Sequence, residues 1–437
     1  MPKKKTALTI EERLQQALVP AEEQPYEVPE NWVWVRLLST FVNKTDSKKK
    51  IQQKFYLNAG DYAIVDQGQN LIGGYTNDAS LQYDGELPVV VFGDHTRCVK
   101  YVDFKFVQGA DGVKILLPFK SFDSKFFYYA IMNLNIPNMG YRRHFPLFDK
   151  LALPLPPLSE QQRIVERIEE LFAKLDEAKE RLQEAADSFA VRKAAILHKA
   201  FTGELTKQWR LENGVSDESW EEKKLGEVGS WLGGGTPSTS REEYWENGNI
   251  LWITSKDMKS AVIEDTLMKV NEIGVKNSSA NYIEKPALLV VMRSGILRRT
   301  FPVAMVKKPF TVNQDLKAII PDKDDLEFLF WMLLSNERRI LDSCMKNGTT
   351  VESINSNALK AFAFKCPTLP EQHEIVRLID DLLARERAAQ QAAEQALASI
   401  DLMKKSILAR AFRGELGTNK ASEASALELL KQVMAEN

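Results

Sequence analysis

Residues 156–205 and 367–416 are two copies of one segment. Offset by 211 residues they align without a gap, and 20 of the 50 positions are identical, among them Glu160/Glu371, Gln161/Gln372, Ile164/Ile375 and Phe201/Phe412. Register held over that length marks an internal duplication, and a duplicated unit constrains the fold more than any local pattern does. Each copy opens on a Pro cluster and closes on Gly-Glu-Leu.

The repeat reads as a long helix. Ser159 stands three residues before Gln162, a capping-box spacing that satisfies first-turn amides. Ile164, Ile168, Leu171, Leu175, Ala178, Leu182, Ala185, Phe189 and Ile196 then recur at steps of 4 and 3, skipping a turn only at Arg192. The second copy repeats this with Ile375, Ile379, Leu382, Ala389, Ala393, Ala396, Ile400, Met403 and Ile407. A heptad seam without Gly or Pro until Gly203 predicts a helix of ~40 residues, about 60 Å long at ~1.5 Å per residue. A single apolar stripe of that length needs a partner of equal length, and the chain supplies one. The Ala-rich seam of the second copy suits the bulkier first, and a pseudo-twofold repeat predicts that the two run antiparallel.

With 437 residues the chain suggests two to four domains. Between and before the repeats lie two regions of short β-type runs, each with one apolar helix. Landmarks recur between them: Trp32–Leu37 and Trp220–Leu225, VKILLP (113–118) and LKAIIP (316–321), FFYYAIMN (126–133) and FLFWMLLS (328–335). The expected class is α+β, with two similar domains joined by two long helices in an antiparallel coiled coil. The predicted organisation is 1–30 (N-terminal helix and connector, beginning with the basic arm Lys3-Lys4-Lys5), 31–155 (first domain), 156–205 (first long helix), 206–366 (second domain), 367–416 (second long helix) and 417–437 (a tail with a short helix).

Several function classes drop away. A net charge of −2 gives no global basicity, so any nucleic-acid contact must be local. Three scattered cysteines and four dispersed histidines form neither a disulfide framework nor a metal-ligand spacing. The richest apolar run, ALLVVM at 287–292, is strand length, so a soluble cytoplasmic protein is expected. Gly233-Gly234-Gly235-Thr236-Pro237 lacks the Lys of a phosphate loop. No dinucleotide fingerprint, HExxH, GxSxG or Asn/Asp-Pro-Pro-aromatic tetrapeptide of an adenine methyltransferase is present. That argues against an enzyme.

Local basic clusters occur in both domains. Residues 285–308 carry Lys285, Arg293, Arg298, Arg299, Lys307 and Lys308 with no acid, 141–144 read Tyr-Arg-Arg-His, and His95, Arg97 and Lys100 form a third group. Lys and Arg neutralise phosphates, and Arg also reads guanine edges.

On these residues the chain resembles the specificity subunit of type I restriction–modification systems. LPLPPLSEQQRIV and KCPTLPEQHEIV, each closing a domain at the head of a long helix, carry the resemblance. VDQGQNLIGGY, VVFGDHTR, GYRRHFP and GGGTPSTSREEYWENGNILWITSKDM are similar to segments of its recognition domains. The resemblance implies that each domain reads one half of a split duplex DNA target, with the helices fixing the spacing between halves. It also implies docking of two methyltransferase subunits, which bring S-adenosylmethionine, and of restriction subunits using ATP and Mg. No cofactor, metal or catalytic residue is expected in this chain.

Expected DNA contacts are Gln67, Arg97, Arg142, Arg143 and His144 in the first domain, and Lys256, Arg293, Arg298, Arg299 and Gln314 in the second. Methyltransferase docking is expected at the first-turn residues Glu160, Gln161, Glu371 and Gln372, whose alternative role is helix capping, and on the exposed faces of both long helices. Two other classes stay open at this point: a structural spacer carrying two protein-binding domains, and a methyltransferase or nuclease with its own site.

Overall fold

A computed structural model describes residues 9–346 and 351–436, so the Lys3-Lys4-Lys5 arm lies outside the described residues. The chain divides into two compact units, Met1–Gln183 with Gln395–Asn437, and Glu184–Glu394. Each unit thus contains part of each long helix, whereas the sequence reading set the helices apart as segments of their own.

In unit 1, β-branched and aromatic runs form three sheets. The edge pair Val33–Arg36 and Ala152–Leu155 is antiparallel. An antiparallel sheet has the order Phe41–Asn43, Val113–Pro118, Val89–Gly93, Val99–Val102. A mixed sheet has the order Lys50–Gln52, Val107–Ala110, Tyr62–Val65, Gly74–Thr76. Helix Ser124–Asn133, capped by Asp123, buries Phe126 and Phe127 completely. Removing such a ring from water stabilises by roughly 1.5–3 kcal/mol.

Unit 2 repeats the plan. Its edge pair is Glu221–Lys224 with Ala363–Cys366. Its antiparallel sheet has the order Gly229–Gly233, Leu316–Pro321, Ala287–Val291, Val303–Val306. Helix Leu326–Ser335, capped by Asp325, takes the place of Ser124–Asn133. The landmarks VKILLP and LKAIIP are both second in their sheet order. The second sheet differs, with three strands in the order Met268–Val270, Ile250–Ile253, Phe310–Val312.

The glycine run 233–235 belongs to this packing. A Cβ on Gly234 would lie 1.8 Å from the Val312 carbonyl oxygen, so only glycine lets the backbones approach so closely.

The repeat helices pair antiparallel in both units. In unit 1, Asp176 meets Lys404, and Arg163, nearer the start of the first helix, holds Glu423 in the tail beyond the end of the second. In unit 2, Arg192 meets Glu386, and Arg210, in the short helix Lys207–Asn213 beyond the first repeat, meets Glu371 at the start of the second. The second helix, Leu369–Ala411, is continuous, but the first breaks at Ser188 into Leu158–Asp187 and Phe189–Phe201. There the Ala185 carbonyl accepts from both the Ser188 hydroxyl and Arg192 Nη2, side chains competing with the helix ladder. The seam of the second copy also shifts. Ala393 and Ile400 of the predicted seam are buried, but Ala389 and Met403 are exposed and Leu383 and Leu408 are buried instead.

The topology is crossed in a regular way. The end of the second repeat packs on the helix of unit 1, with Phe412 and Phe126 ring centroids 5.2 Å apart. The end of the first packs on the helix of unit 2, with Phe201 and Phe328 5.5 Å apart. Helix Ala426–Glu436 of the tail also joins the unit 1 core through Ala426 and Leu430. Opposite it, Ile10–Ala17 opens on the capping box of Thr9 and Glu12.

Candidate nucleic-acid interface

Strand register gathers the first group of loops. Val65 and Gln108 are parallel partners, and Gly93 faces Val113, so the segments after 65, after 93 and around 111 leave at one end. There the His95 amide donates to Gln67 Oε1 at 3.2 Å and the Thr96 hydroxyl to the Gln67 carbonyl at 2.6 Å. Gly112 sits at φ +84°, and a Cβ there would lie 2.7 Å from His95 Cδ2 and 2.8 Å from Gln67 Oε1. Glycine is therefore required for this close approach. Lys50 bonds Asp111 at 2.6 Å and holds its carboxyl below the ordinary range, with smaller contributions from nearby Arg143 and His95.

Loop 138–143 projects beside this cluster, with Tyr141, Arg142 and Arg143 all exposed. His144 is not a DNA contact in this arrangement, because it is fully buried. Its Nε2 accepts the Met139 amide at 3.1 Å and its Nδ1 faces the Asp94 carbonyl at 2.9 Å. The ring pins the base of the loop. Arg97, at φ +62°, commits Nη1 to the Ile136 carbonyl at 2.9 Å and braces the neighbouring turn. Lys100 is nearly buried, 3.4 Å from Asp66. Tyr141, which the sequence reading did not single out, stands exposed beside Arg142 and Arg143.

Unit 2 builds the same corner from the corresponding loops. Ile253 and Val312 are parallel partners, and Val291 faces Leu316. Lys256, Arg293 and Gln314 therefore leave the sheets at one end, and all three are exposed. Gln314 Oε1 accepts from Thr236 at 2.8 Å, and Arg293 lies 3.6 Å from Asp315. Arg298 is held by Glu352, and Arg299 is exposed with no ion pair among the described residues.

The run 285–308 is not one patch. Ala287 pairs with Val306 across the hairpin, so Lys285, Lys307 and Lys308 lie at the end opposite Arg293. Lys307 and Lys308 are occupied by Glu327 and Glu264. Several residues at ~3.3 Å each separate the two groups.

The expected docking residues are interior. Glu160, Gln161, Glu371 and Gln372 are 0 to 2% exposed, so their side chains present no surface to a partner. Nor do they cap their own helices. Gln161 Oε1 accepts the Asp123 amide at 2.7 Å, and Gln372 Oε1 accepts the Asp325 amide at 2.8 Å. Each glutamine thus ties the start of a long helix to the start of its domain helix. Each glutamate receives the segment beyond the other repeat. Glu160 accepts from Trp32 Nε1 and Asn419 Nδ2, both at 2.8 Å. Glu371 accepts from Thr206 Oγ1 at 2.7 Å and Arg210 Nη1 at 2.6 Å.

Among the described residues no group of acids, cysteines and histidines could hold a metal, and no helix is long and apolar enough to cross a membrane.

The chain is similar to known proteins over most of its length. It is 29% identical over 361 residues to the type I restriction enzyme EcoR124I/EcoR124II specificity subunit of Escherichia coli, covering 79% of this chain and 85% of that one. The solved HsdS subunit from Thermoanaerobacter tengcongensis superposes with a TM-score of 0.61 at 17% identity, over 90% of this chain and all of that one. A chain from a structural study of complex assembly and conformational transition in the type I R-M system gives 0.57 at 19%, again over 90% of this chain and all of that one. These two likenesses agree on the fold. Residues 29–186 and 217–396 both match the model of the type I restriction modification DNA specificity domain, and the chain belongs to that family.

Proposed function

We propose that this chain is the non-catalytic DNA reader of a type I restriction–modification complex, each unit recognising one half of a split duplex target. The observation that carries the reading is the repeated corner. The same three loops of the same fold converge in both units, with Gln67, His95 and Asp111 in one, beside the loop of Arg142 and Arg143, and Lys256, Arg293 and Gln314 in the other. A common frame with different side chains suits two different half-sites, and arginines and glutamines are the residue types that read guanine and adenine edges. The length of the repeat helices sets the spacing between the halves, much as dimer geometry does elsewhere. Their exposed faces, not the buried Glu-Gln pairs, receive two methyltransferase subunits. Those subunits supply S-adenosylmethionine, and the restriction subunits use ATP and Mg, in the cytoplasm.

The test is the modification pattern of a host carrying the chain with its methyltransferase. Replacing residues 138–143 is expected to alter one half of a split motif. Adding seven residues to both repeat helices is expected to change the spacer and leave both halves alone. A continuous motif, or one in which both halves change together, would overturn the reading.

A further inference from the structure

One side chain of unit 1 is exposed without any role in holding the fold. Tyr141 is 86% exposed, which is costly for an aromatic ring, yet its orientation is fixed. The ring lies offset on His95, with centroids 4.9 Å apart and planes 13° from parallel. His95 Nδ1 also meets the Tyr141 carbonyl at 3.2 Å. Behind the stack, the His95 amide is held by Gln67, and Gly112 lies against the imidazole edge. The loop is pinned below by His144, with Asn138 Oδ1 receiving the amide of Gly140 at φ +69°. One face of the tyrosine is backed and the other is open. Arg142 and Arg143 follow it, exposed and without an ion pair among the described residues.

A pre-oriented aromatic face beside two free guanidinium groups suits a planar, uncharged ring within a phosphate frame. We propose that Tyr141 stacks on a nucleobase of duplex DNA, entering a base step from the groove, while Arg142 and Arg143 hold the flanking phosphates. The stack then reads how readily that step opens. Pyrimidine–purine steps are favoured, because they unstack most easily. This rests on the DNA reading proposed above and adds a position recognised through deformability.

The experiment uses the full-length chain and a pool of random-sequence duplexes carrying 5-iodouracil in place of thymine, selected by retention and then irradiated. Cross-linking is expected at Tyr141. Tyr141→Ala is expected to bind the selected pool about tenfold more weakly and to lose the preference at one step, with the salt slope unchanged. Tyr141→Phe should behave as the parent. Cross-links elsewhere together with undiminished binding by Tyr141→Ala would overturn the stacking and leave DNA reading intact. Equal losses in the Phe and Ala variants would assign the hydroxyl, not the ring, and also overturn it. Failure to retain any duplex would remove the DNA reading and the stacking together.

Discussion

Arg210 donates through Nη1 to Glu371 Oε1 at 2.6 Å, and the two side chains are 7% and 0% exposed. The pair joins the chain just beyond the first repeat to the first turn of the second. Arg210 also reaches the Gly203 carbonyl at 2.7 Å and the exposed Asp217, while Glu371 Oε2 has no hydrogen-bond partner among the described residues. A buried pair of this kind adds little over an apolar replacement, but removing one member strands the other. Arg210→Met is therefore expected to destabilise the protein by about 3–5 kcal/mol in urea unfolding. Adding Glu371→Met should recover a large part of that loss. A single variant as stable as the parent would show that water reaches Glu371.

Glu160, at the equivalent repeat position, has neutral donors instead, and a different outcome is expected. Burial raises its carboxyl above the ordinary value, against the opposing effect of the Trp32, Asn419 and Thr418 hydrogen bonds and of Arg163. A raised carboxyl favours the protonated form in the folded state. Its stabilising contribution is thus complete below the ordinary carboxylate range and lost as pH rises through the raised value. Glu160→Gln keeps an acceptor for Trp32 and Asn419 and removes the charge. Urea midpoints from acid to neutral pH should show the variant at least as stable as the parent at neutral pH, with the decline above the carboxylate range reduced. A large loss at neutral pH would contradict this assignment. Glu371→Gln, which deprives Arg210 of its counter-charge, should be costly.

These two glutamates show how far the sequence could be read. The duplication, helix positions, strand landmarks and family likeness were legible because they rest on periodicity and identity along the chain. The role of Glu160 was not, because its partners Trp32 and Asn419 lie 128 and 259 residues away. A first-turn Glu-Gln pair looks like a local cap when only neighbours can be considered. The basic run 285–308 misled for a related reason, since a hairpin turns adjacency in sequence into opposite ends of a strand pair. His144 looked like one more cation in Tyr-Arg-Arg-His, yet Asp94, 50 residues earlier, is what draws it inside.

On the proposed DNA reading, the charge that unit 2 can offer a phosphate is limited by Glu352. It holds Arg298, and that hydrogen bond keeps the Glu352 carboxyl below its ordinary value. Glu352→Gln is expected to free the guanidinium for phosphate. DNA affinity should rise, and the slope of log K against log salt should steepen by about one. Arg299→Ala, at an arginine with no ion pair among the described residues, should flatten it by a similar amount. Fluorescence anisotropy across a salt series measures both. An unchanged slope in Glu352→Gln would mean that Arg298 faces away from the duplex.

His144 separates presentation of a loop from contact by it. Because Nε2 accepts the Met139 amide, the ring is neutral with its proton on Nδ1, which donates to the Asp94 carbonyl. His144→Ala would leave the Met139 amide without its acceptor and the Asp94 carbonyl with the backbone amide of residue 144 alone, at a cost of about 1–3 kcal/mol. The amides of 138–143 should then exchange faster with solvent, and DNA affinity should fall because the loop must be ordered on binding. The salt slope should stay at the parent value, since Arg142 and Arg143 remain. Arg142→Ala and Arg143→Ala should each lower the slope by about one without faster exchange. If His144→Ala lowered the slope as the arginine variants do, the imidazole would be a phosphate ligand and its buried position in the free protein would not persist on DNA.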